Sequence, residues 1–197
     1  MDISKKAMLV SLSIKTWSPS KKTSASLIET DASAKTGTVT ARKHLLGGNC
    51  NRHAAKLTAI RKVADAARKE IYAQTLPWGQ GGERILLLRN MQKFDRSMAK
   101  LEAEFDSVTR IFVNAYPSAC KEAQLHLGDL FNPEDFPTEI AGKYTFEVTK
   151  GHISQGSDFR LDIADEELEE LRQNLDSQNT SRVKVAMQDA YSKLQKE

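Results

Sequence analysis

The sequence predicts a helix-dominated α+β protein in which long antiparallel helices stand beside a small β-sheet. Three observations carry this. Between Asn90 and Tyr116, the residues Met91, Phe94, Met98, Leu101, Phe105, Val108 and Phe112 recur at steps of three and four, which places them in one stripe along a helix. A second, C-terminal stretch from Asp165 repeats the spacing through Leu168, Leu171 and Leu175, and again through Val183, Ala186, Ala190 and Leu194. Short segments near the start and after Tyr144 instead alternate apolar and polar residues, the period of a half-buried strand.

The chain of 197 residues is long enough for a substantial core and reads as a single domain over residues 1–197. Its composition, 40% hydrophobic and 28% charged, is that of an ordinary soluble protein. The longest apolar runs, such as Ile85 to Leu88, fall far short of the roughly 20 residues a membrane span needs. Met1 to Lys6 has basic residues but is followed by neither an adequate apolar region nor a cleavage site, so a cytoplasmic location is expected. In that compartment Cys50 and Cys120 are expected to stay reduced. Charge is unevenly spread. Residues 1–75 hold 14 Lys or Arg against 5 Asp or Glu, whereas the remainder holds 15 against 21.

Taken in order, Met8 to Trp17 is expected to be a strand that Ser18-Pro19-Ser20 ends. Residues 18–49 are polar and small and are expected to be extended or mobile, with a short helix around Ser24 to Ser33. Gly47-Gly48 breaks the chain before Asn51, which is placed to cap a helix reaching about Gln74 with Leu57, Ile60, Ala64, Ala67 and Ile71 inward. The loop Leu76-Pro77-Trp78-Gly79-Gln80-Gly81-Gly82 lacks the Gly-Lys-Ser/Thr ending of a phosphate loop. It reads as a structural turn anchored by Trp78.

Pro117 is expected to end or kink the long helix, leaving Ser118 to Leu127 as a shorter continuation closed by Gly128. Two phenylalanines, Phe131 and Phe136, pack inward from a turn-rich connection, and a short helix follows at Thr138 to Gly142. Strands are expected at Tyr144 to Val148 and at Phe159 to Ile163. Residues 164–197 form a C-terminal helical arm, one long helix or two with a soft joint, and it is the natural partner for the Asn90 to Tyr116 helix.

No motif marks a catalytic site. Ser118 and Cys120 lack the flanking glycines of a nucleophile elbow, and the carboxylates from Asp162 to Glu170 suit a solvated helix start. His44, Cys50 and His53 lie within ten residues, but their spacing fits no established zinc finger and no fourth ligand is apparent. Neither a metal nor another cofactor is expected. The sharpest chemical feature is basic: Arg52, Lys56, Arg61, Lys62, Arg68 and Lys69 on one helix, helped by Lys35, Arg42 and Lys43, are candidates to track nucleic-acid phosphates.

Five pieces together resemble a family of unknown function carried by tailed phages and integrative elements. They are Leu12 to Trp17 (Leu-Ser-Ile-Lys-Thr-Trp), Leu-Pro-Trp-Gly at Leu76 to Gly79, Tyr116-Pro117, Leu-Gly-Asp-Leu-Phe-Asn at Leu127 to Asn132, and Asp-Phe-Arg-Leu-Asp at Asp158 to Asp162. That family is associated with genes for MoxR-like AAA+ ATPases and von Willebrand A domain proteins. The resemblance implies a non-enzymatic accessory protein that binds another protein, an ATPase module or a host defence factor, and it brings no catalytic residues. Nucleic-acid binding through residues 51–74 is the alternative. The heptad-like spacing of the Asn90 to Tyr116 helix is also compatible with a homo-oligomer.

Overall fold

The computed structural model describes residues 3–22, 42–44, 51–79, 81–128, 131–154 and 165–195. Three long helices dominate: α1 (Asn51–Gln74), α2 (Met91–Leu127) and α3 (Asp165–Leu194). Strands β1 (Ala7–Lys15), β4 (Leu76–Pro77), β5 (Arg84–Leu87) and β6 (Thr145–Gly151) form one sheet in the order β4-β5-β1-β6. A separate hairpin pairs β2 (Ser20–Lys22) with β3 (Arg42–His44) in antiparallel register, Lys21 opposite Lys43. The helix-dominated α+β class is therefore the observed one.

The chain divides into two compact units, each assembled from separated stretches of sequence. The first comprises residues 1–13, 65–102 and 146–197. Its sheet pairs β1 antiparallel to β5, Ala7 opposite Leu87 and Leu9 opposite Ile85, while β5 pairs antiparallel to β4. On one side of this sheet Ala7, Trp78, Ile85, Ile153 and Ala186 form a buried cluster, with Ile3, Leu9, Leu76, Leu87 and Val183 packed around it. Trp78 is 2% exposed, so the glycine-rich loop is a structural turn with its aromatic as anchor. Gly79 adopts φ +72, where a side chain would be strained, and a Cβ there would also meet the Arg182 guanidinium at 3.4 Å.

In the first unit α3 packs against the sheet. Val183 and Ala186 seat α3 on the sheet cluster, and its described polar contacts go to Ser154 and to the C-terminal end of α1. The physical reason lies in its composition: the helix carries charge almost all round, and Ala186 is its one fully buried apolar residue among those described. It needs only a narrow seam against the sheet. Of the two arrangements expected for this arm, one long helix or two with a soft joint, the first is observed: α3 is one continuous helix.

The second unit comprises residues 14–64 and 103–145. Here Phe112 stands at the centre of an aromatic group. Its ring lies 6.3 Å from Trp17, 5.9 Å from Tyr116 and 6.0 Å from Tyr144, and Trp17 meets Tyr116 edge-on at 5.8 Å. Such tilted and edge-on arrangements match the ring quadrupoles as well as burying area. Phe131 and Phe136, expected to pack inward, are half-buried and stack on each other at 5.2 Å. The stripes read from sequence face inward: Leu57, Ile60, Ala64, Ala67 and Ile71 on α1 and Phe94, Met98, Phe105 and Phe112 on α2 are buried, while Met91, Leu101 and Val108 of the α2 stripe are half-buried.

Pro117 does not end the helix. It lies inside α2, which continues for 37 residues. Proline removes one backbone donor and crowds the carbonyl four residues earlier, but Tyr116, Ala119 and Ala123 are buried on either side of it, and their packing outweighs that local cost. The strand expected at 144–148 is β6, the short helix at 138–142 is a single 3-10 turn at Ala141–Lys143, and the strand expected at 159–163 and the helix at 24–33 lie outside the described residues.

Two tyrosines make this second unit sensitive to alkali. Burial raises the hydroxyls of both Tyr116 and Tyr144 well above the ordinary phenol value of 10.0. The Cys120 thiol beside Tyr116 adds to the effect without the geometry of a directed hydrogen bond, and Arg61 opposes it at Tyr144. A folded-state pKa raised above the unfolded value gives stability that is complete below the unfolded value and is lost as pH rises beyond it. Urea unfolding should therefore show stability falling above pH of about 10. In Tyr116→Phe/Tyr144→Phe that fall should be shallower; an unchanged slope would mean that other groups cause it.

Candidate functional site

Local chemistry at the end of α1 sets the position of the most conspicuous concave surface. A helix leaves its last carbonyls without intrahelical donors, and α1 has neither a basic residue in its last turn nor a glycine just after it. The donors come from elsewhere in the first unit. Arg84 on β5 donates through Nε to Thr75 Oγ1 at 2.6 Å and through a terminal guanidinium nitrogen to the Thr75 carbonyl at 3.0 Å. Lys193 on α3 reaches the Tyr72 carbonyl at 3.1 Å and the Thr75 carbonyl at 3.4 Å. Thr75 Oγ1 donates to the Ile71 carbonyl.

Arg84 is 9% exposed, and its guanidinium lies 4.2 Å from the centre of the Tyr72 ring. Burial pulls its pKa down, while Tyr72 and Asp189 act in the opposite direction. Asp189 also holds Lys193 at 3.1 Å. The α3 helix is thus pinned at its C-terminal end by Lys193, in its middle by Arg182 over the Trp78 ring at 5.9 Å, and further back by Asn179, which donates to the Ser154 carbonyl at 2.9 Å.

Held in this way, α3 turns a second face outward. A groove of about 610 Å³ runs between it and the N-terminal turn Ile3–Lys5, lined on its apolar side by Ile3, Leu87, Ile153, Val183 and Met187. Lys6, Lys184, Asn179, Thr180 and Asp176 supply its polar rim. Beyond the groove, α3 leaves Met187 52%, Tyr191 62% and Leu194 70% exposed. Val183, Met187, Tyr191 and Leu194 are spaced by four, four and three residues, so they form one stripe.

Of the basic residues expected to bind nucleic acid, Arg52, Lys56, Arg61, Lys62, Arg68 and Lys69 all belong to the one helix α1, where Arg61 and Arg68, and likewise Lys62 and Lys69, are seven residues apart and so nearly share a face. In the second unit Arg61 and Lys62 are exposed and Lys56 is half-buried. In the first unit Lys69 is exposed, and Arg68 is ion-paired with Asp65 at 2.8 Å. Arg42 and Lys43 lie on β3 and Arg52 on the first turn of α1, with side chains outside the described residues, as is the whole of Lys35. His53 is 2% exposed, with Nε2 3.2 Å from the Glu122 carboxylate but poorly directed for a hydrogen bond. Its candidate metal neighbour Cys50 lies outside the described residues. Among the described residues no three His, Cys, Asp or Glu side chains are grouped to hold a metal, and no helix is long and apolar enough to cross a membrane.

Sequence reading missed Arg84, Lys193 and the groove. A signal for the exposed stripe was present, since Tyr191 and Leu194 extend the α3 repeat, but the period alone does not say which side is covered. In comparisons with known proteins, no family model, no curated protein and no solved structure matches this chain.

Replacing Arg84 by Met keeps the stem but strips the Thr75 hydroxyl and carbonyl of a charged donor, and should cost about 2–4 kcal/mol in urea unfolding. Lys193→Met, at a half-exposed position, should cost about 1 kcal/mol or less. Equal effects of the two would refute the ranking of the buried donor over the exposed one.

Proposed function

We propose that the chain is a non-enzymatic accessory protein of phage or mobile-element origin that acts by binding another protein, an ATPase module or a host defence factor. The observation that carries this reading is the exposed apolar series Met187, Tyr191 and Leu194, which runs on from the groove that half-buried Val183 helps to line. Scattered exposed apolar residues are ordinary on a protein surface, whereas an aligned series continuous with a groove is the form that helix-mediated recognition uses. The phage or mobile-element setting rests on the motif resemblance alone.

The test is site-specific photo-crosslinking in cells that produce the chain together with its neighbouring genes. A photoreactive residue at Tyr191 should give discrete protein adducts, and one at Tyr72, 58% exposed on α1, should not. Absence of adducts from Tyr191, or the same adducts from both positions, would refute protein binding through α3.

A second reading is favoured by Arg61, Lys62 and Lys69, which are exposed and make no ion pair among the described residues. Nucleic-acid binding through them would depend on phosphate neutralisation and counterion release. Anisotropy with labelled DNA and RNA should then show affinity falling steeply with salt, and a Glu substitution at all three positions should abolish it. No binding at low salt removes this reading.

A further inference from the structure

Building on the protein-binding reading, we infer that the groove on α3 receives an acidic amphipathic helix, with apolar side chains entering the groove and carboxylates meeting its basic rim. Shape argues for an elongated occupant. From Val183 to Leu194 the stripe is roughly 16 Å long at the helical rise, and the groove extends it toward Asn179. Three turns of a partner helix with apolar anchors at steps of three and four match that length, and the ridges of one helix pack into the grooves of another at this spacing.

Charge argues for the sign. The rim carries Lys6 and Lys184, and the groove shares Lys6 and Leu87 with an adjoining hollow that is lined also by Leu88 and Arg89. Lys6, Arg89 and Lys184 are exposed, and none makes an ion pair among the described residues. Asp176 is the carboxylate of the lining, at the end away from Met187. The other cations of this helix are already engaged: Lys193 on Asp189 and the α1 carbonyls, Arg182 on the Trp78 ring. Among the described cations of α3, Lys184 at the groove is thus the one left with neither an ion pair nor a ring contact, and with Lys6 and Arg89 beside it a partner's carboxylates would supply the missing counter-charge. In water such rim pairs contribute modestly to affinity, but they select the sign of the partner and speed the encounter.

The experiment uses the full chain and two labelled 18-residue peptides with the same leucine stripe, one with Glu and one with Lys at the remaining positions. Anisotropy at low salt should give a Kd of about 10–100 µM for the Glu peptide and at least tenfold weaker binding for the Lys peptide. Met187→Asp should weaken the Glu peptide by about tenfold or more, and Lys6→Glu/Arg89→Glu/Lys184→Glu should reverse the preference between the peptides. All four positions are exposed, so circular dichroism and thermal unfolding should be unchanged. Equal affinity for both peptides, or indifference to Met187→Asp, would overturn the inference. So would a dimer in sedimentation that Met187→Asp dissociates, because the stripe would then be covered by a second copy. Failure here with Tyr191 adducts intact leaves protein binding standing and removes only the acidic helix; failure of both removes the parent reading.

Discussion

Much of the first unit depends on how the C-terminal end of α1 is closed. A 24-residue helix concentrates partial negative charge at its last carbonyls, and leaving those carbonyls buried without donors would cost more than most single packing contacts contribute. Arg84 and Lys193 meet that requirement from two other elements, one on β5 and one on α3. The same two contacts therefore tie a strand and the C-terminal helix to one helix end. Arg84 is the stronger of the two because it is buried, makes two hydrogen bonds and rests on the Tyr72 ring.

That closure has a functional corollary. Once Lys193, Arg182 and Asn179 engage the body of the unit, the orientation of α3 about its own axis is set, and Met187, Tyr191 and Leu194 are left outward. A helix held by a few polar contacts and a narrow apolar seam can present a long exposed surface without burying it. On the proposed protein-binding reading, a partner would meet the side of this largely charged helix that the anchors leave open.

The second unit is built on other terms. Aromatic packing around Phe112 and the buried Leu57, Ile60, Ala64 and Phe105 carry it, and polar groups are incidental or enclosed, as with Tyr116, Tyr144 and His53. Burial of the Tyr116 and Tyr144 hydroxyls links its stability to alkali. Pro117 illustrates the balance: a residue that would halt an isolated helix is tolerated because buried neighbours on both sides hold the turns together.

The sequence by itself determined the helices and their inward faces, because a 3.6-residue period of apolar side chains is a local property that burial in any compact fold will use. Leu57 to Ile71 and Phe94 to Phe112 were legible for that reason, as were β1 and the Trp78 turn. Tertiary structure alone decided the rest. Arg84 lies nine residues from Thr75, and Lys193 lies 118 residues away, so no local pattern marks either as a helix cap. The basic residues of α1 were legible as a series on one helix, but which of them find a counter-charge was not: Arg68 pairs with Asp65, whereas Arg61, Lys62 and Lys69 make no ion pair among the described residues. The outward side of α3 was equally hidden: periodicity measures which residues share a face, and only long-range hydrogen bonds and packing choose the face that solvent keeps.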